Sequence, residues 1–251
     1  MAGATLRWLL GGALATLVIV GPSSAQDGSP ALPGVKGEDD RVLVESFDWP
    51  WSAIVKVNRH TGGFCSGVLI APDKVATAAH CLWLSRTETL LRPEALHVVE
   101  NYRRGDWTGD SAVLSYIMGP DGALPREGDN ASTHLDWAVL TLETPLGQSI
   151  DIAVLPDGLQ PGTSIMQAGF SQDSRHVLTL HWHCTILDTF DGGRVLTHDC
   201  DAVHGDSGSP VMVVDEDGSV SLIALHSATG VVDGLAVGIA VTVESLTEAL
   251  P

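Results

Sequence analysis

From residue 51 onward, Val, Ile and Leu gather in short runs that are broken by Gly, Pro, Asn and Asp. Runs of that length, bounded by turn residues, read as β-strands. One set falls at residues 53–57, 67–70, 74–77, 96–99, 113–118 and 138–142. A second falls at 164–168, 177–187, 194–197, 211–214, 222–226 and 236–243. No helical period fills the gaps, so the spacing suits barrels or sandwiches and excludes alternating βαβ units. Residues 244–250 read as one or two helical turns, and no sequence repeat links the two sets. Pro145-Leu146-Gly147 and Pro156-Asp157-Gly158 punctuate the middle of the chain. They suggest a division near residue 147, into an all-β half over 42–147 and another over 148–251.

The N-terminus departs from this pattern. Arg7 is the only charge in residues 1–25, an apolar stretch covers 8–20, and Ser23-Ser24-Ala25 follows. That order reads as a secretory signal peptide cut after Ala25, since the stretch is short for a membrane span of roughly 20 residues. An uncleaved anchor is the alternative. Residues 26–41, rich in Gly, Pro, Asp and Ser, read as a flexible leader or propeptide with little structure. A secreted or periplasmic protein follows, without stable membrane association once the signal is cut. The formal net charge of −18 argues against nucleic acid and anionic membranes as partners, because both repel a negative chain. Four cysteines in an exported chain point to two disulfides.

The segment His204-Gly205-Asp206-Ser207-Gly208 sets a serine between two glycines and then runs into an apolar strand. Without Cβ atoms, the flanking glycines admit backbone conformations closed to other residues and let a substrate come near. A serine hydroxyl is a weak nucleophile until a base removes its proton and a third group orients that base. Val75-Ala76-Thr77-Ala78-Ala79-His80-Cys81 supplies a histidine after small residues, and Leu135-Asp136-Trp137-Ala138 supplies a carboxylate at the head of a strand. Asp129 and Asp151 suit the orienting role less well, because neither leads directly into such a strand.

These three blocks, in the order His, Asp, Ser, resemble those of the chymotrypsin/trypsin-like serine endopeptidases. The nearer likeness is to a secreted bacterial branch that includes the glutamyl endopeptidases. The resemblance spans about residues 42–245. It implies two Greek-key β-barrels with the active site in the cleft between them and a short C-terminal helix. It further implies an acyl-enzyme on Ser207, His80 as general base and then acid, and Asp136 orienting the imidazole. The N–H groups of Gly205 and Ser207 would form the oxyanion hole. Four cysteines allow three pairings. Cys65–Cys81, the bridge we favour, would lock a strand against the loop of His80 and matches the family's bridge at that place. Cys184–Cys200 is left for the second half, with no counterpart as clear.

For specificity, Asp201 stands six residues before Ser207, where trypsin-like members carry the acid that selects Arg or Lys. His226 resembles the histidine with which glutamyl endopeptidases hold a carboxylate, and an aspartate in the same pocket would offset its charge. We expect a basic residue on the acyl side of the cut. Ser227 or Ser221 would bond Asp136 or the substrate backbone. In family zymogens the counterpart of Asp206 pairs with a freshly cut N-terminus. Arg41-Val42-Leu43-Val44 offers such a cut, although the family's usual Ile-Val-Gly-Gly is absent. His181-Trp182-His183, with His176 and His198, has no recognised metal spacing and reads as a surface strand. Asn130-Ala131-Ser132 fits a glycosylation acceptor. The expected partners are a protein or peptide substrate and a protein inhibitor, with no cofactor and no metal. Two other classes compete with the peptidase: a catalytically silent binding protein on this fold, and an esterase-like serine hydrolase.

Overall fold

The computed structural model describes residues 34–119, 124, 130–153 and 158–247. The signal peptide, leader residues 26–33, Asp129 and the Pro156-Asp157 turn lie outside the described residues, as does the side chain of Asn130.

Six strands make the first barrel: β1 (Ile54–Arg59), β2 (Phe64–Ala71), β3 (Lys74–Thr77), β4 (Leu96–Glu100), β5 (Gly109–Met118) and β6 (Ala138–Leu142). They close antiparallel in the order β1-β2-β3-β6-β5-β4, and β4 returns to β1. A second set follows: β7 (Ser164–Gly169), β8 (Thr179–Phe190), β9 (Val195–His198), β10 (Pro210–Val214), β11 (Val220–Val232) and β12 (Leu235–Thr242). It closes in the same order, β7-β8-β9-β12-β11-β10, with β10 returning to β7. Among the described residues the fold is all-β, with two closed barrels and one short α-helix, α1 (Val243–Thr247).

β-Branched and leucine side chains fill each barrel because alternate strand positions point inward. Val57, Val68, Leu69, Val98 and Leu140 are buried in the first barrel, and Ile165, Ile186, Leu196, Val211 and Ile223 in the second. Burial of this apolar surface is the main force that closes the two barrels.

Side chains of both barrels meet at the seam. Trp51 packs edge-on against Trp182, with ring centroids 5.5 Å apart. Lys56 on β1 donates to the Arg175 carbonyl at 2.5 Å, its ammonium 4.0 Å from the Phe64 ring centroid.

The leader carries more structure than its composition suggests. Residues 34–40 lie against Cys200–Ala202, and just past the leader Val42 and Leu43 pair with Leu180 and Thr179 of β8. Composition misses this because the segment is held by polar contacts of backbone and side chain and not by apolar burial.

Candidate active site

β3 and β6 are antiparallel neighbours, with Thr77 opposite Ala138. The exit of one therefore lies beside the entry of the other. His80 follows β3 on a single 3-10 turn (Ala79–Leu82), and Asp136 precedes β6. Ala76, Ala78 and Ala79 have no exposed surface, so the turn sits directly on the barrel. A disulfide from Cys65 on β2 to Cys81 pins it there.

Asp136 is 1% exposed. Its Oδ1 accepts the His80 backbone N–H at 2.8 Å, while Oδ2 lies 2.7 Å from His80 Nδ1 and accepts the Ser227 hydroxyl. Nδ1 therefore carries the proton, and Nε2 of the neutral ring is left as an acceptor. Burial pushes the Asp136 carboxyl up, but the His80 charge and the three donors outweigh it, so it lies below the usual aspartate value. At His80 burial works downward, and the Asp136 carboxylate overcomes it and holds the imidazole above its ordinary value.

Ser207 sits on a loop that packs against the first barrel. The Ser66 N–H donates to the Ser207 carbonyl at 2.9 Å, next to the Cys65 bridge. Gly208 has φ +79°, and a Cβ there would stand 2.3 Å from Thr77 Oγ1 and 2.8 Å from the Ala78 nitrogen. Those atoms lie just before His80, so only a glycine lets the serine's loop seat against the histidine's turn. Gly208 and Ser209 spend their N–H groups on His226 O at 2.7 Å and Asp206 O at 2.9 Å. Among the described residues, no acceptor takes the N–H of Gly205 or Ser207. The Gly205 carbonyl accepts the Ser66 hydroxyl at 3.0 Å, which also accepts the Phe170 N–H at 2.7 Å.

Asp206 points the other way, into the second barrel. It accepts the Ser171 hydroxyl at 2.9 Å and the Val203 N–H at 2.8 Å, and faces no cation at hydrogen-bond distance among the described residues. Burial raises its pKa to about 6.

Asp201 and His226 occupy the same neighbourhood with different chemistry. Both are 3% exposed. Asp201 accepts the N–H groups of Lys36 at 2.7 Å and Asp40 at 3.1 Å, and its own N–H donates to His181 Nδ1 at 2.9 Å. The Cys200 N–H donates to His198 Nδ1 at 3.2 Å, so His198 carries its proton on Nε2 and gives it to His226 Nδ1, also at 3.2 Å. His226 thus keeps its own proton on Nε2. Burial first, then the Lys36 and His80 charges, lowers its pKa to about 3, so it is neutral at physiological pH.

The second disulfide joins Cys184 on β8 to Cys200. The clustered histidines part company: His181 is buried on Asp201, His198 sits on His226, and His176 lies 3.2 Å from the Tyr102 hydroxyl. The surface-strand reading of 181–183 is corrected at His181, because a strand at the seam has no solvent face there. Asp40, His181 and Asp201 converge, but backbone N–H groups already occupy Asp201 and His181 Nδ1. Of the two candidate serines, Ser227 bonds Asp136, whereas Ser221 lies opposite Asp151. Sequence reading missed Ser66, Ser171 and Lys36. Only Ser66 carried a signal, its place next to Cys65.

A family model described as trypsin matches residues 44–250. The chain is 25% identical over 196 residues to a glutamyl endopeptidase of Bacillus licheniformis, covering 74% of this chain and 58% of that protein. It is 26% identical over 235 residues to human chymotrypsin-like elastase family member 3B, covering 79% and 78%. With mouse serine protease 23 it shares 30% over 205 residues, or 71% of this chain and 50% of that protein. It therefore spans only half to three-fifths of two of these relatives. A solved structure of a Glu endopeptidase in complex with MPD superposes with TM-score 0.69 at 21% identity, covering 86% of this chain and 98% of that one. At that identity the likeness is one of fold.

Proposed function

The chain belongs to the trypsin family, and from that premise we propose that it is an exported serine endopeptidase working through an acyl-enzyme on Ser207. His80 Nε2 takes the Ser207 proton as the hydroxyl attacks the scissile carbonyl, then returns it to the leaving amine. Asp136 holds the Nδ1–H tautomer and stabilises the imidazolium. The N–H groups of Gly205 and Ser207 receive the oxyanion, a contribution of about 3 kcal/mol per donor in such sites. One observation carries the reading: Gly208, the neighbour of Ser207, is pressed on Thr77 and Ala78, just before the His80 that is hydrogen-bonded to Asp136. The relatives named as endopeptidase and elastase support the reaction class. The apolar stretch over 8–20 and the two disulfides support export. Among the described residues no helix is long and apolar enough to cross a membrane.

Ser207→Ala is expected to abolish hydrolysis of casein and labelling by an alkyl fluorophosphonate. Unaltered hydrolysis by that variant sinks the proposal. A wild-type chain with both disulfides formed that resists the reagent points instead to a silent binding protein, and one that cleaves esters but not amides points to an esterase.

The side chain on the acyl side of the cut is basic in this reading. A neutral His226 supplies no positive charge for a glutamate, and Asp201 is an acid beside the Ser207 loop. Peptides released from a proteome digest decide this: Lys or Arg before the cut supports Asp201, and enriched Glu moves the role to His226.

A further inference from the structure

Two segments flank the approach to Ser207. One is Cys200–Val203, at the start of the serine's loop. The other is residues 226–229 on β11, where Ser227 bonds Asp136. Part of this chain lies between them. Gly34 is buried, with φ +100°, and a Cβ on it would stand 1.8 Å from the Ala202 carbonyl oxygen and 3.0 Å from Thr229 Oγ1. Its own carbonyl accepts the Ala202 N–H at 3.2 Å. Two residues on, the Lys36 ammonium donates to the Cys200 carbonyl and, at 3.3 Å, to the Gly34 carbonyl, close to the charges of Asp201 and Asp199. Asp201 spends one oxygen on the Lys36 N–H and the other on the Asp40 N–H. Arg41 ties down the far end by reaching both Asp39 and Asp173 at 2.7 Å.

We propose that residues 34–40 are a tethered plug seated on Asp201 beside the Ser207 loop, with the Lys36 and Asp40 N–H groups on the carboxylate that a substrate's basic side chain would take, so that the uncut chain is closed to substrate. This rests on the endopeptidase reading and adds its control. The manner of holding fits a removable part. Residues 37–40 are exposed, and none of the described residues before Val44 belongs to the apolar core, so polar contacts retain the described segment. Tethering keeps it at high effective concentration, yet a cut near Arg41 turns it into a dilute peptide. Release also frees both oxygens of Asp201, so the group that selects a basic side chain is the group that holds the plug.

The test uses residues 26–251, with labelling scored on uncut chains by intact mass. A lysyl phosphonate probe must enter the pocket to react, whereas a small alkyl fluorophosphonate only needs Ser207 to be nucleophilic. The expected result is that Gly34→Val with Lys36→Ala raises lysyl-probe labelling about tenfold or more, the gain when a pocket open about a tenth of the time becomes fully open. Labelling by the small probe should change far less. Equal or slower lysyl-probe labelling of the variant overturns the plug and makes the segment a fixed wall of the pocket. A second readout needs no catalysis: in the Ser207→Ala chain, the amides of Lys36 and Asp40 exchange slowly, and Gly34→Val speeds them. Fast exchange without that substitution also overturns the plug. If the small probe labels neither chain, the endopeptidase reading fails, and the exchange result alone decides whether the segment is seated.

Discussion

The two barrels share one strand order and no sequence repeat, yet they treat a buried aspartate in opposite ways. In the first barrel Asp136 faces an imidazole and three donors, and its carboxyl lies below the ordinary value. In the second Asp206 faces a hydroxyl and an N–H, and burial lifts it to about 6. Both are almost fully buried, at 1% and 2% exposure, so depth does not separate them. The difference is whether a positive charge can form beside the carboxylate. One barrel keeps an ionised carboxylate against an imidazole. The other keeps an acid whose ionisation is unfavourable until a cation arrives, which is what a new N-terminus at Val42 would bring.

The largest break in this contrast is Asp136→Asn. The amide cannot hold the Nδ1–H tautomer, and a loss of about 10⁴ in kcat is expected, measured on an ester substrate with the fold checked by circular dichroism. In the unsubstituted protein kcat/KM should fall as pH drops through the pKa of His80, at a midpoint above the ordinary 6.5. A midpoint below 6.5 contradicts the assigned pair.

Asp206→Asn acts on the opposite case. The proton leaves the unfolded chain near 3.8 and the folded one near 6, so stability falls as pH rises between them and stays lowered above. The full difference is about 3 kcal/mol. The variant of the uncut chain should melt higher at pH 8 and no higher at pH 4, whereas a flat profile in the unsubstituted chain would remove the unfavourable charge. Asp136 carries the reverse sign, and its stabilisation is lost as pH falls below the unfolded value.

Ser227→Ala gives the smallest effect. It removes one donor to Asp136 Oδ2 and leaves two, which should cost about 1.5 kcal/mol, or roughly tenfold, in kcat. A change confined to KM would assign Ser227 to the substrate instead.

The strands were legible because each barrel buries runs of Val, Leu and Ile that stand out from polar turns, and the expected runs over 74–77 and 138–142 coincide with β3 and β6. The His80 and Ser207 blocks were legible because small residues and glycines mark places where backbones touch. The partners of those blocks were not. Ser171 on Asp206 and Ser66 on Gly205 are single polar residues brought in by barrel closure, from 35 and 139 positions away in the chain. The contacts of residues 34–40 were illegible for the same reason, since the Lys36 and Asp40 N–H groups find their acceptor, Asp201, more than 160 residues on.

Ser66 gives the site a property that neither barrel has alone. Through its N–H and hydroxyl, one residue of the first barrel holds the carbonyls of Ser207 and Gly205 in the second. The Gly205–Ser207 turn is therefore set by how the halves meet, while the His80–Asp136 pair is set within one half. A small slip along the seam would move the Ser207 turn before it disturbed the His80–Asp136 pair. Under mild denaturant or heat, the protein is expected to fall silent while both barrels are still folded.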